Sequence, residues 1–180
     1  MQPVRDDRGD RDLLADLAAG NRDALGKIYE RHAPSLFRHA LALARLQSDA
    51  EDLVHAVFLK LATTGAALLQ VQTPANYLHR MLHTTWVDGG RRAATGERVV
   101  DHLTPVQSAE RPGITDSIDL TRALDALPAP QREVVVLHLV EGFSFREVGK
   151  LTGVSLFTAA ARYRLAIRRL RTTLADPRVR

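Results

Sequence analysis

The feature that most restricts this chain is the spacing of its apolar residues, which return every three or four positions until Gly, Pro or a capping residue ends each run. That period belongs to helices with one buried stripe. After a polar arm, Leu13, Leu14, Leu17 and Ala18 form the first stripe, stopped by Gly20-Asn21. The second covers 23–46, with Ile28, Tyr29, Ala33, Leu36, Phe37, Ala40, Leu41 and Ala44 in register; Pro34 inside it predicts a kink or a restart. Ser48-Asp49-Ala50-Glu51 has the form of a capping box, and the helix it opens is expected to turn Leu53, Val54, Val57, Phe58, Leu61 and Ala62 inward. Thr73-Pro74 sets a capping hydroxyl before a Pro suited to the first helical turn. The helix that follows carries Tyr77, Leu78, Met81, Leu82 and Val87 and is expected to end at Gly89-Gly90. Composition agrees, since 25 Ala and 26 Leu stand against 5% aromatic residues, a balance that favours helix over sheet.

From about 93 to 117 the period lapses. Gly96, Pro105, Pro112 and Gly113 lie among polar residues, so the stretch reads as a linker between two helical blocks. In the second block a helix over 117–127 carries Ile118, Leu120, Leu124 and Leu127 and is stopped by Pro128-Ala129-Pro130. Another, over 130–141, carries Val134, Val135, Leu137, His138 and Val140 to Gly142. Ser144 and Glu147 then form a second capping box, Gly153 marks a tight turn, and Ser155 caps a long last helix with Ala159, Tyr163, Ile167, Leu170 and Leu174. Two helices joined by a Gly turn, the second capped and rich in Arg, make a helix-turn-helix pattern, although plain helical hairpins share it.

The formal charge of +4 is unevenly placed. Residues 1–117 hold 14 basic and 15 acidic groups, whereas 118–180 hold 11 and 6. Near the end, Arg162, Arg164, Arg168, Arg169, Arg171, Arg178 and Arg180 face one acid, Asp176. Such clustering suits a polyanion, most often nucleic acid, and equally a solvated helix face. The absence of Cys excludes disulfide frameworks, thiolate metal sites and cysteine catalysis. No G-x-S-x-G elbow occurs, and Gly142 to Gly149-Lys150 has the wrong spacing for a phosphate-binding loop. His79 and His83 are four apart but lack the intervening Glu of H-E-x-x-H, and the other His are scattered. No catalytic residue, cofactor or metal is therefore expected. Without a run of about 18 apolar residues no membrane insertion is expected, and the charged first residues are not those of a signal peptide. A cytoplasmic, all-α protein is the expectation.

Four segments together resemble the extracytoplasmic-function (ECF) sigma factors of the sigma-70 family. The first is Ala19-Gly20-Asn21-Arg22-Asp23-Ala24-Leu25 with Ile28-Tyr29-Glu30-Arg31-His32-Ala33-Pro34, similar to the family's opening helix pair. The second, Asp49-Ala50-Glu51-Asp52-Leu53-Val54-His55-Ala56-Val57-Phe58-Leu59-Lys60-Leu61, resembles its polymerase-binding helix. Ala126-Leu127-Pro128-Ala129-Pro130-Gln131-Arg132-Glu133-Val134 resembles the start of sigma region 4. Glu141-Gly142-Phe143-Ser144-Phe145-Arg146-Glu147-Val148-Gly149, with Val154-Ser155 and the run from Arg162 to Arg171, resembles its helix-turn-helix.

The resemblance implies two small helical domains on a flexible linker: region 2 over 10–92, the linker over 93–116 and region 4 over 117–176. It implies transcription initiation without chemistry, with core RNA polymerase and promoter DNA as partners and, as for many such factors, an anti-sigma factor. By match to the family, Glu51, Asp52 and His55 are expected to meet the polymerase clamp. Arg80, His83, Trp86, Arg91 and Arg92 are expected to serve promoter opening, where aromatic or Arg planes can stack on unstacked bases. Ser155, Thr158, Ala159, Arg162, Arg164 and Arg168 are expected to read or hold the upstream element. Trp86, the only Trp, suits core packing equally well. At several positions the chain departs from the family: His55 and Ala56 stand where Gln and Glu are usual, Thr84 replaces Asn, and Ala159-Ala160-Ala161 fills the recognition helix. These departures keep open an alternative, a helix-turn-helix regulator that no longer binds polymerase. The linker also leads us to expect two halves that tumble semi-independently.

Overall fold

Leu14, Ile28, Leu36, Val57, Leu61, Leu78 and Leu82 are all essentially sealed from solvent, and the helices that carry them pack around that shared core. The computed structural model describes residues 8–44, 46–94 and 115–175. The first half contains α1 (Arg8–Ala18), α2 (Asp23–Ala44), α3 (Gln47–Thr63), a 3₁₀ turn (Gly65–Gln70) and α4 (Pro74–Ala94). Among the described residues there is no strand, as an all-α chain requires.

Four local expectations differ from the structure. Pro34 neither stops nor restarts α2, which is continuous across it. A Pro inside a helix costs about 3 kcal/mol. Burial of Ile28, Leu36 and Leu43 on either side, at about 1.5–3 kcal/mol each, outweighs that cost. Likewise α4 runs through Gly89-Gly90 to Ala94, since two glycines at about 1 kcal/mol each only weaken a helix anchored by Leu78 and Leu82. The capping box at Ser48 is not made. The helix starts two residues earlier, Leu46 is its N-cap without a side-chain bond, and Glu51 instead accepts from Gln47 Nε2 at 2.8 Å. On that helix Leu53, Val54, Val57, Phe58 and Leu61 point inward as expected, while Ala62 is exposed.

The second half contains α5 (Thr115–Asp125), α6 (Ala129–Val135) widening into a π turn (Val136–Val140), α7 (Phe145–Thr152) and α8 (Leu156–Ala175). The segment read as a linker lies mostly outside the described residues. Two small cores hold this half together. Val134, Leu137, Phe143, Val148, Leu151 and Ala159 join α6, α7 and α8, and Ala123, Leu127, Val135, Ala166 and Leu170 join α5, α6 and α8.

The α7–α8 corner follows its sequence signals closely. Ser144 N–H donates to Glu147 Oε2 at 2.8 Å and Glu147 N–H returns to Ser144 Oγ at 3.3 Å, the complete capping box. Gly153 ends α7 at φ +70°, in the left-handed region. Gly149 is required for a different reason: a Cβ there would sit 2.8 Å from the Val154 carbonyl oxygen. Ser155 Oγ then accepts from Thr158 N–H at 3.0 Å and caps α8.

The two halves do not stand apart. Buried Arg132 of α6 reaches into the last turn of α2, donating to the carbonyls of Ala42 at 2.6 Å and Leu43 at 3.5 Å. Carbonyls at a helix C-terminus lack intrahelical partners and carry partial negative charge, so a buried guanidinium satisfies both needs. In this structure the two halves meet at a polar seam between α2 and α4 on one side and α6, α7 and the turn before α7 on the other.

Candidate nucleic-acid and polymerase interfaces

The outer face of α8 is the most strongly presented surface of the second half. Phe157, Ala161, Arg164 and Arg168 recur at helical spacing, and Phe157, Arg164 and Arg168 are exposed, Phe157 at 77%. Ser155 and Thr158 are exposed at the tip, with their hydroxyls 2.9 Å apart. Arg162 is half-buried. Ala159 is a correction: it is fully buried in the α6–α7–α8 core, because position 159 falls on the opposite side of the helix from 157 and 164. Sequence reasoning missed Phe157. Its neighbour Leu156 is also partly exposed, and a large apolar side chain at a capped helix start was the available signal.

On the first half, Glu51, Asp52 and His55 are brought together on the exposed side of α3. With Gln47, Tyr29, Pro34 and Phe37 they line an open groove between α2 and α3. The residues expected at promoter opening are dispersed. Arg80 is exposed, while Trp86 is half-buried against the first-half core, the packing alternative left open by the sequence. His83 is drawn into the seam, its Nδ1 2.6 Å from Glu133 Oε1. Arg91 and Arg92 belong to the last turns of α4, but their side chains lie outside the described residues.

That seam contains the polar residues that sequence reasoning missed. Glu133 Oε1 accepts from His39 Nε2 at 2.9 Å as well as from His83. Glu141 is clasped by Arg38, whose Nε and Nη2 lie 2.7 and 3.2 Å from its two oxygens, and it also accepts from Ser35 Oγ. On the flank, Asn76 Nδ2 donates to Glu147 Oε1 at 3.3 Å. Burial pushes the Glu133 carboxyl up, but the hydrogen bonds from His39 and His83, and the attraction of those rings when charged, outweigh it and hold the pKa at about 2. The available signal was His39 within the Leu36–Ala40–Leu43 stripe and Glu133 abutting four apolar residues: charge placed where a core residue was due. Among the described residues no cluster of His, Asp and Glu has the arrangement of a metal site.

Comparison with known proteins places both halves. The model for sigma-70 region 2 matches residues 28–95 and the model for sigma-70 region 4 matches 117–170. The ECF RNA polymerase sigma factor SigM of Mycobacterium tuberculosis is 30% identical over 92% of this chain and 85% of its own length. The chain belongs to the ECF sigma factors. Its function is accordingly promoter recognition in transcription initiation. The sigma factor CarQ of Myxococcus xanthus is 30% identical over 87% of this chain and 92% of its own length. Among solved structures, CnrH in complex with the cytosolic domain of CnrY aligns with a TM-score of 0.64 at 25% identity, over 92% of this chain and 96% of that one. The sigma factor RpoE of Bartonella quintana, solved with the anti-sigma factor NepR, shares the fold at a TM-score of 0.72 and 24% identity, over 84% and 97%. The family is one of transcription regulators. No helix among the described residues is long and apolar enough to cross a membrane.

Proposed function

We propose that this ECF sigma factor divides its work between region 2, residues 10–92, and region 4, residues 117–176. The observation that carries the division is the pairing, in one chain, of an acid-rimmed groove on α2–α3 with a separate basic recognition helix, α8. Glu51, Asp52 and His55 meet core polymerase at that groove, where Tyr29 and Phe37 supply apolar area beside the acids. Region 4 lays α8 in the major groove of the upstream element. Arg164 and Arg168, with Arg162 beside them, hold phosphates, and Ser155 and Thr158 flank the tip. Phe157 takes the base-reading place that Ala159 cannot occupy, because an aromatic edge can contact the methyl of thymine. In α4, Arg80 and His83 serve the opened strand once His83 leaves the seam, with Arg91 and Arg92 further along, while Trp86 supports the helix from within. The chain supplies binding rather than chemistry and works in the cytoplasm, where polymerase and promoter are. An anti-sigma factor is a third partner, by analogy with the complexes in which CnrH and RpoE were solved.

The test is a pull-down with core RNA polymerase followed by run-off transcription on genomic fragments. New transcripts that require the chain are expected. Arg162→Ala with Arg164→Ala is expected to lower promoter occupancy in a footprint while sparing the pull-down. Equal loss of both would defeat the division of labour, and failure of the wild-type chain to bind polymerase would leave the helix-turn-helix regulator.

A further inference from the structure

Three histidines of α2 and α4 meet two glutamates of the second half, and promoter recognition leaves most of these residues without a task. His39 Nε2 donates to Glu133 at 2.9 Å, His39 Nδ1 faces His79 Nδ1 at 3.0 Å, His79 Nε2 faces Ser35 Oγ at 3.0 Å, and Ser35 Oγ donates to Glu141. A relay of four links thus joins two buried carboxylates, and its protons can be counted. A hydroxyl supplies one proton and a neutral imidazole one. The Ser35 proton goes to Glu141, so His79 Nε2 must carry the proton of the link to Ser35. His39 Nε2 must carry the one toward Glu133. The His39–His79 link still needs a proton, and two neutral rings have none left. The relay therefore holds one proton more than neutral rings supply, and the count is the same if that proton rests on a carboxyl oxygen.

The surroundings favour the extra charge. Glu133 also meets His83, and Glu141 is bridged by Arg38. Among the described residues, and with His83 neutral, Glu133, Glu141, Arg38 and the protonated relay sum to zero, whereas loss of the proton adds a negative charge at a largely buried site, which is costly. Other charged neighbours among the described residues are engaged elsewhere. Arg132 donates to backbone carbonyls, Glu147 of α7 is held by Asn76 and Ser144, and His138 faces the Phe143 carbonyl.

We propose that the relay is a proton-loaded latch that holds region 4 against region 2, and that loss of its proton favours their separation. Its consequence rests on the sigma-factor reading, since the closed latch ties down His83 and one side of α4. Closing takes up a proton, so the closing equilibrium weakens as pH rises, by up to about tenfold per pH unit.

The chain has no Cys, so Ala62→Cys on α3 and Arg171→Cys on α8, both exposed, accept a pair of distance probes. A single distance is expected near pH 6 and a growing second population toward about pH 8.5. Ser35→Ala removes the link that demands the extra proton, and in that background the pH response is expected to flatten while circular dichroism stays helical. A distance distribution of the labelled parent that does not change over this range overturns the latch, whether or not the Ser35 variant folds. So does an unchanged pH response in a folded Ser35→Ala chain. A parallel polymerase pull-down separates the two readings. Opening without polymerase binding removes the sigma-factor roles and keeps the latch, and binding without pH-dependent opening does the reverse.

Discussion

Two polar surfaces of this molecule work by opposite physics. The outer face of α8 sets Arg164 and Arg168 in solvent, where charge costs little to maintain, acts at a distance and is screened by salt. The seam sets His39, His79, Glu133 and Glu141 out of solvent, where each must find a partner at hydrogen-bond distance. The first arrangement tolerates many positions of its partner and suits a polyanion that varies in sequence. The second tolerates one and suits holding two parts of a chain in register. On the proposed division of labour this sigma factor uses both, one surface to hold DNA and the other to hold its halves together.

The largest expected effect breaks the seam alone. Glu133→Ala leaves His39 and His83 facing an empty site, and removing one partner of a buried charged cluster typically costs about 3 kcal/mol or more. Hydrogen exchange of α2 and α6 amides should report lost docking while DNA affinity of region 4 persists. Acid does the same reversibly. The Glu133 pKa is depressed to about 2, so its contribution is complete above the ordinary carboxylate range of about 4.5 and disappears as pH falls toward 2. Next comes Gly149→Ala, which drives a Cβ into the Val154 carbonyl and should destabilise region 4 by about 2 kcal/mol in urea titrations, leaving region 2 unaffected.

Smaller effects belong to the outer face. Arg164→Ala with Arg168→Ala should weaken binding to all duplexes alike and reduce the logarithmic salt slope by about 2, whereas a seam variant should leave that slope unchanged. Phe157→Ala should instead narrow discrimination by about 1 kcal/mol, and only on duplexes that contain thymine, so uracil-for-thymine substitution should cancel its effect. The smallest is a gain. Nothing lies within 4 Å of a Cβ built at Gly89, so Gly89→Ala should stabilise α4 by up to about 1 kcal/mol in thermal unfolding.

The two surfaces also differ in how far they could be read from sequence. The α7–α8 corner was legible because its causes are local: Ser144 and Glu147 are three residues apart, and Gly153 stands where the chain must turn left-handed. Signals equally local failed at Pro34 and at Gly89-Gly90, where burial of neighbouring residues outweighed helix-breaking tendencies. Ser48 failed because Gln47 and Glu51 offered a competing start. Ala159 was misplaced only by the family match, because the apolar register of the last helix already set it with Tyr163 and Ile167. The seam was not legible at all. His39 and Glu133 are 94 residues apart, and nothing local to either tells that a partner waits across the fold. Arg132 appeared only as part of a family pattern, and its hold on the end of α2 emerges only once both helices are in place.

If the seam belongs to a resting form, core RNA polymerase engages the separated one. The direct test is to titrate core RNA polymerase into the chain carrying probes at positions 62 and 171 and to follow binding and distance together. The single distance of the free chain is expected to give way to a second one in step with complex formation. A complex that forms with the original distance unchanged would contradict this.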